Sequence, residues 1–182
     1  MIKLKHLIKE SLTWDNRKFG ERLPTLKDYQ EAHDKKLKEG LLTEATRSVI
    51  GLELPNGKIT AVYCHYDGYP EGVGTYLKKY YKSPAVIKKL IQLGKHGIST
   101  LGKNIGKKHD FNMPYEEKEK LGYTTFYGRD RGEKQNMSFT YKDRQDYEDN
   151  FDGRSGAEFG YVFSMKDKKW YYYSDRGNQG IL

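Results

Sequence analysis

An Asn-Gly pair flanked by alternating apolar residues is the clearest structural signal in the chain. The segment RSVIGLELPNGKITAVYCH (47–65) places apolar residues on both sides of Asn56 and Gly57. Because this arrangement is typical of a tight hairpin turn, it predicts strands at about 47–54 and 58–65.

A second hairpin is predicted near the end of the chain. The aromatic-rich runs EFGYVFSM (158–165) and KWYYYS (169–174) flank a polar turn at 166–169. Alternation of this kind predicts two strands joined by a short turn, with part of the aromatic side chains facing a core.

Helical signals occupy the middle of the chain. They predict a helix near 72–82 and a second at 84–93, with Ser83 as N-cap, Pro84 at the first position and Gly94 after the last turn. The remaining predicted elements are a turn of helix at 114–120, a strand at 123–128 and a short helix at 141–151.

The order of these elements predicts an α+β domain over residues 45–182. Strands at both ends of a helical middle are typical of a mainly antiparallel sheet, and we expect the two short helices to cover one of its faces. No apolar run approaches the ~20 residues that span a bilayer, so no membrane partner is expected. One cysteine excludes an internal disulfide and suits a reducing compartment.

Residues 1–44 have a different character and predict a helical extension. The first twelve residues, MIKLKHLIKESL, form a short basic amphipathic pattern. A second helical stretch opens at Pro24 and Thr25, where Thr25 and Asp28 make a capping pair. The chain is therefore divided into an extension (1–44) and a single globular domain (45–182).

Positive charge is concentrated in the middle of the chain. The formal net charge is +8, and residues 45–120 carry 13 Lys/Arg against 7 Asp/Glu, whereas residues 121–182 balance at 10 against 10. Clustered lysines favour polyanions, because they contact phosphates and release counterions. The alternative is a solvated helix face that keeps the protein soluble. These lysines are Lys78, Lys79, Lys82, Lys88, Lys89, Lys95, Lys103, Lys107 and Lys108.

The stretch AVYCHYDGYPEGVG (61–74) brings together several residues whose side chains could take part in catalysis or binding. His65 and Asp67 lie two apart where a strand ends, so both are expected to face one side as a general base or a metal ligand. The alternative is a structural histidine followed by an Asp-Gly turn. Gly72 and Gly74 precede a helix, whose N-terminal amides can bind an anion, although a glycine pair is weak evidence for a phosphate site.

Two further motifs carry charged side chains. In YGRDRGEK (127–134), Arg129 and Arg131 are placed to clamp a phosphate or carboxylate, or else to pair with neighbouring carboxylates. His109 and Asp110 form a second His-Asp pair, which could join the first in a metal site. The spacing matches no metal motif, and we favour no metal and no cofactor.

The candidate site residues divide into two sets. The candidates for catalysis are His65, Asp67 and His109, without an assigned reaction. The candidates for ligand binding, with tyrosines for stacking and lysines and arginines for charge, are Tyr69, Gly72, Gly74, Tyr76, Lys78, Lys79, Lys88, Lys89, Arg129 and Arg131.

The motifs of residues 45–175 resemble a known group of phage proteins. SVIGLELPNGKITAVYCHYDGYPEGVGTYL, KLIQLG, KHDF and YGRDRGE occur in this order, and the combination resembles a widespread group of small, mostly uncharacterised proteins of tailed phages with a YCHxDGYP signature and a later GRDRGE. The resemblance implies a viral or prophage context and no specific activity.

The extension resembles the cleaved leaders of phage internal head proteins. The triplets ending at Glu10, Glu39 and Glu44 each precede a small residue, and they resemble the Leu/Ile-x-Glu sites that prohead proteases of large myophages cut. The basic amphipathic start resembles a capsid-targeting peptide. The resemblance implies packaging in the head, trimming to residues 45–182 and injection with the DNA, so that the protein occupies the virion interior or the host cytoplasm. The alternative is a helical extension in which such triplets arise by chance.

Three functions fit these observations. The leading hypothesis is a phage accessory protein, not an enzyme, that binds nucleic acid or a nucleotide during host takeover or anti-defence. The enzyme alternative is a metal-dependent phosphodiesterase or nuclease in which His65 and His109 do acid–base work while Asp67 and Asp110 bind the metal. The third hypothesis is a module that blocks a host defence enzyme through its exposed tyrosines.

Overall fold

The predicted Asn-Gly hairpin forms the centre of the sheet. The computed structural model describes residues 45–182, and within it strand β1 (Ser48–Glu53) pairs antiparallel with strand β2 (Ile59–Cys64). At the turn, Gly57 has a φ of 82°, a left-handed conformation that glycine adopts without steric cost. The Asn56 Oδ1 accepts a hydrogen bond from the Lys58 amide at 3.2 Å. The sequence prediction for this hairpin is confirmed.

Six more strands and four helices follow along the chain. The strands are β3 (Ile98–Thr100), β4 (Thr125–Phe126), β5 (Ser138–Tyr141), β6 (Phe159–Ser164), β7 (Lys169–Ser174) and β8 (Gln179–Ile181). The helices are α1 (Thr75–Tyr80), α2 (Pro84–Leu93), α3 (Tyr115–Leu121) and α4 (Arg144–Ser155). Among the described residues, no helix combines the length and the apolar character that crossing a membrane requires.

The strands form one mixed, mainly antiparallel sheet. Its order is β4-β3-β2-β1-β6-β7-β8, and β5 pairs with β2 beside β3. The pairs β1–β6 and β2–β3 are parallel, whereas every other pair in this sheet is antiparallel. The α+β class, the C-terminal hairpin of β6 and β7, and the mainly antiparallel sheet are as predicted.

Both faces of the sheet are covered by helices, because the residues of β1 alternate between two cores. Ile50 and Leu52 pack with apolar residues of α1 and α2, which cover one face as the sequence predicted. Val49 points to the other face and packs with residues of α4. The sheet therefore separates a surface formed by α1 and α2 from a surface formed by α4.

Two glycines on neighbouring strands make room for the ring that anchors α4. Gly51 in β1 and Gly160 in β6 both lie under Tyr147, and a Cβ added at Gly160 would lie 2.9 Å from its ring. The Tyr147 hydroxyl donates to the backbone oxygen of Val49 at 2.8 Å. The close approach of α4 to the sheet therefore depends on the absence of side chains at these two positions.

The sequence mispredicted some boundaries and missed the shortest strands. The strand expected at 123–128 has two residues, because the chain turns at Tyr127–Arg131. Helix α4 begins later than predicted, since the Asp143 side chain accepts from the Asp146 amide as N-cap. Strands β3, β5 and β8 were not predicted. The helical extension predicted for 1–44 lies outside the described residues.

We predict that Gly160→Ala destabilises the domain by about 1–3 kcal/mol, the usual cost of overpacking a core. The matched control is Gly153→Ala in helix α4, where an added Cβ meets no atom within 4 Å. Because alanine is the better helix former, the control should gain up to about 1 kcal/mol. Urea unfolding of both variants measures these changes, and an equal response of the two would contradict the proposed packing.

Candidate functional site

The loop after β2 is pinned to the start of β1. The strand ends at Cys64, and Asp67 adopts a φ of 57°, so the chain turns sharply. The Gly68 amide donates to the Thr46 oxygen at 2.7 Å, and the buried Tyr161 hydroxyl donates to the Gly68 oxygen at 2.7 Å. A Cβ at Gly68 would lie 2.7 Å from the Thr46 oxygen, so this close contact requires glycine.

The glycines predicted to bind an anion serve close packing instead. The Gly72 amide donates to the Tyr69 oxygen at 3.0 Å, and the Val73 amide donates to the Asp67 oxygen at 2.8 Å. An added Cβ at Gly72 would clash with that same oxygen of Asp67, and one at Gly74 would touch side chains at 3.3 Å. These amides stabilise the turn that leads into α1, which corrects the expected anion site.

A cleft of about 300 Å³ lies between this loop and the segments around β3 and β4. Four tyrosines and three carboxylates give it its chemical character, and we call it the tyrosine cleft. Its lining residues are Tyr66, Asp67, Tyr69, Glu71, Gly72, Val73, Tyr76, Thr100, Leu101, Gly102, Lys118, Glu119, Gly122, Tyr123 and Thr125.

Thr124 organises the far wall of the tyrosine cleft. Its buried hydroxyl lies 2.8 Å from the Tyr81 hydroxyl, accepts from the Gly102 amide at 3.0 Å and donates to the Asn104 oxygen at 3.1 Å. The Tyr81 hydroxyl also donates to the Gly102 oxygen at 2.9 Å. These bonds tie the segment after β3 to the segment before β4.

Arg129 uses its whole guanidinium to hold the same wall. Its Nε and Nη2 donate to the Asp130 carboxylate at 2.7 and 2.9 Å. Its Nη1 donates to the oxygens of Ile105 and Gly106 at 2.9 and 3.3 Å, and its Nη2 donates to the Thr124 oxygen at 2.7 Å. A guanidinium has five N–H donors, so none is left for a ligand. Arg129 is therefore a structural residue, and its predicted role in ligand binding is corrected.

Asp130 is the charged partner of Arg129 and has a fully buried side chain. Burial by itself would raise the pKa of this carboxyl. Hydrogen bonds from Arg129 and from the amides of Phe126 and His109 outweigh burial and hold the pKa below its ordinary value of 3.8. The ionised carboxylate is thus a stable part of the folded structure.

Arg131 does not form the predicted clamp with Arg129. Its side chain is exposed, pairs with Glu133 at 3.1 Å and lies with its guanidinium carbon 5.1 Å from the centre of the Phe111 ring. Arg131 therefore remains a candidate for contact with an anion at the surface by itself.

The two histidines each have partners within the fold. The Nδ1 of His65 lies 2.8 Å from the Tyr63 hydroxyl, and burial followed by the nearby charge of Arg47 lowers the pKa of His65. His65 is not among the residues that line the tyrosine cleft, although Asp67 is. The tyrosine cleft is therefore lined by only one of these two side chains, Asp67.

The proposed metal site of two histidines and two carboxylates is not assembled. The Nε2 of His109 lies 3.0 Å from the Thr125 hydroxyl, and the Asp110 carboxylate accepts from the Asn112 amide at 2.9 Å. Within residues 45–182, no group of three or more His, Cys, Asp or Glu side chains is placed to hold a metal ion. Cys64 is buried and its pKa is raised to about 12, mainly by burial, so its thiol stays protonated.

Helices α1 and α2 carry a surface of exposed lysines, which we call the lysine face. Their apolar side chains, such as Leu77 and Ile87, pack against the sheet, so the lysines point outward. Within the described part of the chain, none of these lysines takes part in an ion pair. The lysine face consists of Lys78, Lys79, Lys82, Lys88 and Lys89.

Negative charge lies at other places on the domain. Residues 143–152, which include most of α4, contain five acidic residues and lie against the opposite face of the sheet. The tyrosine cleft carries Asp67, Glu71 and Glu119 against one lysine, Lys118. The cleft is therefore unsuited to the anion that the glycines and tyrosines of its loop had suggested.

The sequence indicated one wall of the tyrosine cleft and missed the other. The loop 65–76 was a candidate because it combines aromatic, charged and glycine residues. Glu119 and Tyr123 come from a segment some fifty residues later in the chain, and only the folded sheet places them opposite this loop.

We predict that Asp130→Asn lowers the free energy of unfolding by about 3–5 kcal/mol at neutral pH, because it leaves Arg129 buried without its counter-charge. A lowered pKa gives stability that is fully present above the unfolded value of about 3.9 and is lost as the pH falls through the folded value. The difference in the free energy of unfolding between Asp130→Asn and the unchanged protein should therefore become smaller below about pH 4. Urea unfolding between acidic and neutral pH measures it.

The control for this prediction is Asp175→Asn, a change at an exposed carboxylate. It should leave the free energy of unfolding within about 0.5 kcal/mol of the unchanged protein at every pH. If the difference in the free energy of unfolding between Asp130→Asn and the unchanged protein stays constant into the acid range, this result would contradict an ionised Asp130.

Comparisons with protein-family models, with curated proteins and with solved structures gave no match to this chain.

Proposed function

We propose that this protein binds nucleic acid through the lysine face, as an accessory protein of a tailed phage. The observation that carries the proposal is the one-sided charge of residues 72–109, which contain nine lysines and no acidic residue. The lysine face lies within this segment and is exposed without intramolecular counter-charges in the described residues. Such a surface attracts a polyanion, because each contact with a phosphate releases condensed counterions.

An extended polyanion fits this surface better than a single nucleotide. The lysines lie on the outward side of two packed helices, whereas the tyrosine cleft carries three carboxylates that would repel a phosphate. The half-buried Tyr76 and Tyr80 add aromatic surface on α1, with ring centres 5.7 Å apart, and the Lys79 ammonium lies 5.3 Å from the Tyr80 ring. Aromatic rings beside cations can support stacked bases.

The expected binding has little sequence preference. Lysine is a mobile point charge that contacts phosphates, and it lacks the planar fork with which arginine reads guanine. Phosphate contacts position a protein on nucleic acid without reporting its sequence. The affinity should therefore lie in the range of non-specific binding, about 10⁻⁴ to 10⁻⁶ M at physiological salt.

The resemblance to tailed-phage proteins supports the proposed context. A protein that travels with phage DNA, or that acts in the host after infection, meets nucleic acid at high concentration. The proposed processing sites at Glu10, Glu39 and Glu44 lie outside the described residues. Cleavage after Glu44 would leave residues 45–182, which contain the lysine face and the tyrosine cleft.

We predict that the protein binds a labelled oligonucleotide with an affinity that falls steeply between about 50 and 200 mM salt. Replacing Lys78, Lys79, Lys88 and Lys89 by glutamine should weaken binding. It should also flatten the plot of log affinity against log salt, by about 0.7 for each phosphate of a single strand that the variant no longer neutralises. Fluorescence anisotropy across a salt series measures both changes.

The matched control is Lys166→Gln with Lys169→Gln, which removes two exposed lysines from the turn between β6 and β7. It should leave both the affinity and the salt slope close to those of the unchanged protein. Binding that is independent of salt, or weakened equally by the control and by the fourfold variant, would contradict a role for the lysine face.

Packaging in the phage head gives a separate prediction. If the extension is a cleaved leader, mass spectrometry of purified virions should find a form that begins at Ala45. A Glu44→Gln variant should accumulate a longer form, because the proposed recognition triplet is lost. Virions that contain only the intact form starting at Met1 would refute the processing, without bearing on nucleic-acid binding.

A further inference from the structure

The tyrosine cleft has a chemistry opposite to that of the lysine face. Its volume of about 300 Å³ suits a small molecule or a single side chain. The four tyrosines occupy positions on both walls, since Tyr66, Tyr69 and Tyr76 belong to the loop and α1, whereas Tyr123 precedes β4. The two walls therefore present aromatic surface to the same space.

Two of the four tyrosines of this cleft keep part of their surface exposed to solvent. The exposed fractions of Tyr66 and Tyr69 are 38% and 39%, which places them among the most exposed large apolar side chains of residues 45–182. Clustered exposed aromatic residues in a concave surface are typical of a binding site. The negative face of a tyrosine ring attracts a cation, most strongly where water is partly excluded.

The carboxylates of the cleft favour a ligand of positive charge. The lining of the cleft includes three carboxylates, those of Asp67, Glu71 and Glu119, and one lysine, Lys118. The Nζ of Lys118 is already engaged, because it donates to the Phe111 oxygen at 2.6 Å and lies 5.2 Å from the centre of the Phe111 ring. A phosphate or carboxylate ligand would meet net negative charge here.

We propose that the tyrosine cleft binds a small organic cation of the alkylammonium class. The carbon chain of such a ligand packs against the tyrosine rings, and its ammonium groups pair with the carboxylates. The two recognition elements are complementary, because aromatic rings attract the charge while they cover the carbon atoms, and carboxylates accept the ammonium hydrogens. The ligand is either a free amine or a lysine side chain of a polypeptide, since both present the same group.

Both walls of the cleft are held in place before a ligand arrives. The near wall is fixed by the bonds of Gly68 to Thr46 and Tyr161. The far wall is fixed by the hydroxyls of Thr124 and Tyr81. A cleft that is already ordered loses little conformational entropy on binding, so modest contacts give measurable affinity.

The proposal can be tested separately from nucleic-acid binding, because the two surfaces share Tyr76 but none of their charged residues. It is tested on the full chain by isothermal titration calorimetry with spermidine as the free amine and with Nα-acetyl-lysine amide as the side-chain mimic. The cleft variants are Glu71→Gln with Glu119→Gln, which remove charge, and Tyr66→Ala, which removes one ring. The control is Glu148→Gln with Asp175→Asn, which removes the same charge from the surface near α4.

We expect at least one of the two probes to bind with saturation, and the Kd to rise about tenfold in each cleft variant, which corresponds to roughly 1.4 kcal/mol. The control and the fourfold glutamine variant of the lysine face should keep the Kd of the unchanged protein. Saturable binding of spermidine alone assigns the cleft to a free amine, and tighter binding of the lysine mimic assigns it to a polypeptide side chain.

Three results would overturn the proposal. The first is no saturable binding of either probe up to about 1 mM, where the binding free energy is only about −4 kcal/mol. The second is an equal loss of affinity in the cleft variants and in the control. The third is a loss of affinity in the control alone. Thermal unfolding without ligand shows whether each variant is folded, and the changes at Glu71, Glu119 and Tyr66 concern side chains at the surface of the cleft. A variant that unfolds is replaced by Tyr66→Leu, which keeps apolar volume without the ring.

Discussion

The buried ion pair between Arg129 and Asp130 is the interaction on which the geometry of the candidate site depends. Removing two charges from water is unfavourable, and the attraction between them offsets this cost only when further hydrogen bonds satisfy both groups. Here the guanidinium also binds the backbone oxygens of Ile105 and Thr124, and the carboxylate accepts the Phe126 amide. The pair thus joins the segment that contains Ile105 to the segment that contains Thr124 and Phe126, and it adds to the packing of the buried Ile105 and Phe126 side chains. The far wall of the tyrosine cleft takes its shape from this junction.

The lysine face and the acidic helix α4 show how one small sheet separates charges of opposite sign. Helices α1 and α2 bury apolar side chains on one face of the sheet, so their lysines point outward, whereas the acidic α4 packs on the other face. The lysines of the lysine face are thus held apart from the carboxylates of α4, and the repulsion among these lysines costs some stability. A polyanion steered to the lysine face is repelled by the cleft, and a cation is repelled by the lysine face. The two surfaces therefore differ in the sign of the charge that they attract.

The sequence predicted the elements that rest on local signals and missed those that rest on long-range contacts. The Asn56-Gly57 hairpin and helix α2, which starts after Ser83, are encoded within a few residues, and both were placed within about two residues of their observed bounds. Strands β3 and β8 have three residues each and are stabilised by neighbours far away in the chain, so no local pattern marks them. The same distinction holds for the site. The composition of the loop 65–76 predicts a functional role, but the cleft that this loop borders also needs residues near 120. The sequence predicts Arg129 as a ligand-binding residue, because the sequence does not show the backbone oxygens that Arg129 binds.

The motifs at 61–74 and 127–134 both contribute to the tyrosine cleft, and several of their residues fix the backbone around it. In the first motif Gly68 and Gly72 are required by close backbone contacts, and in the second Arg129 and Asp130 bind backbone groups of the opposite wall. The loop of the first motif contributes Asp67 and Tyr69 to the surface of the cleft. The second motif contributes no residue to this surface and instead holds the backbone of the far wall through Arg129. A motif match in another chain is therefore consistent with a cleft of this form, because the form needs those residues. It does not predict the same ligand, since Glu119 and Tyr123 lie outside both motifs and contribute to the charge and aromatic surface that a ligand would meet.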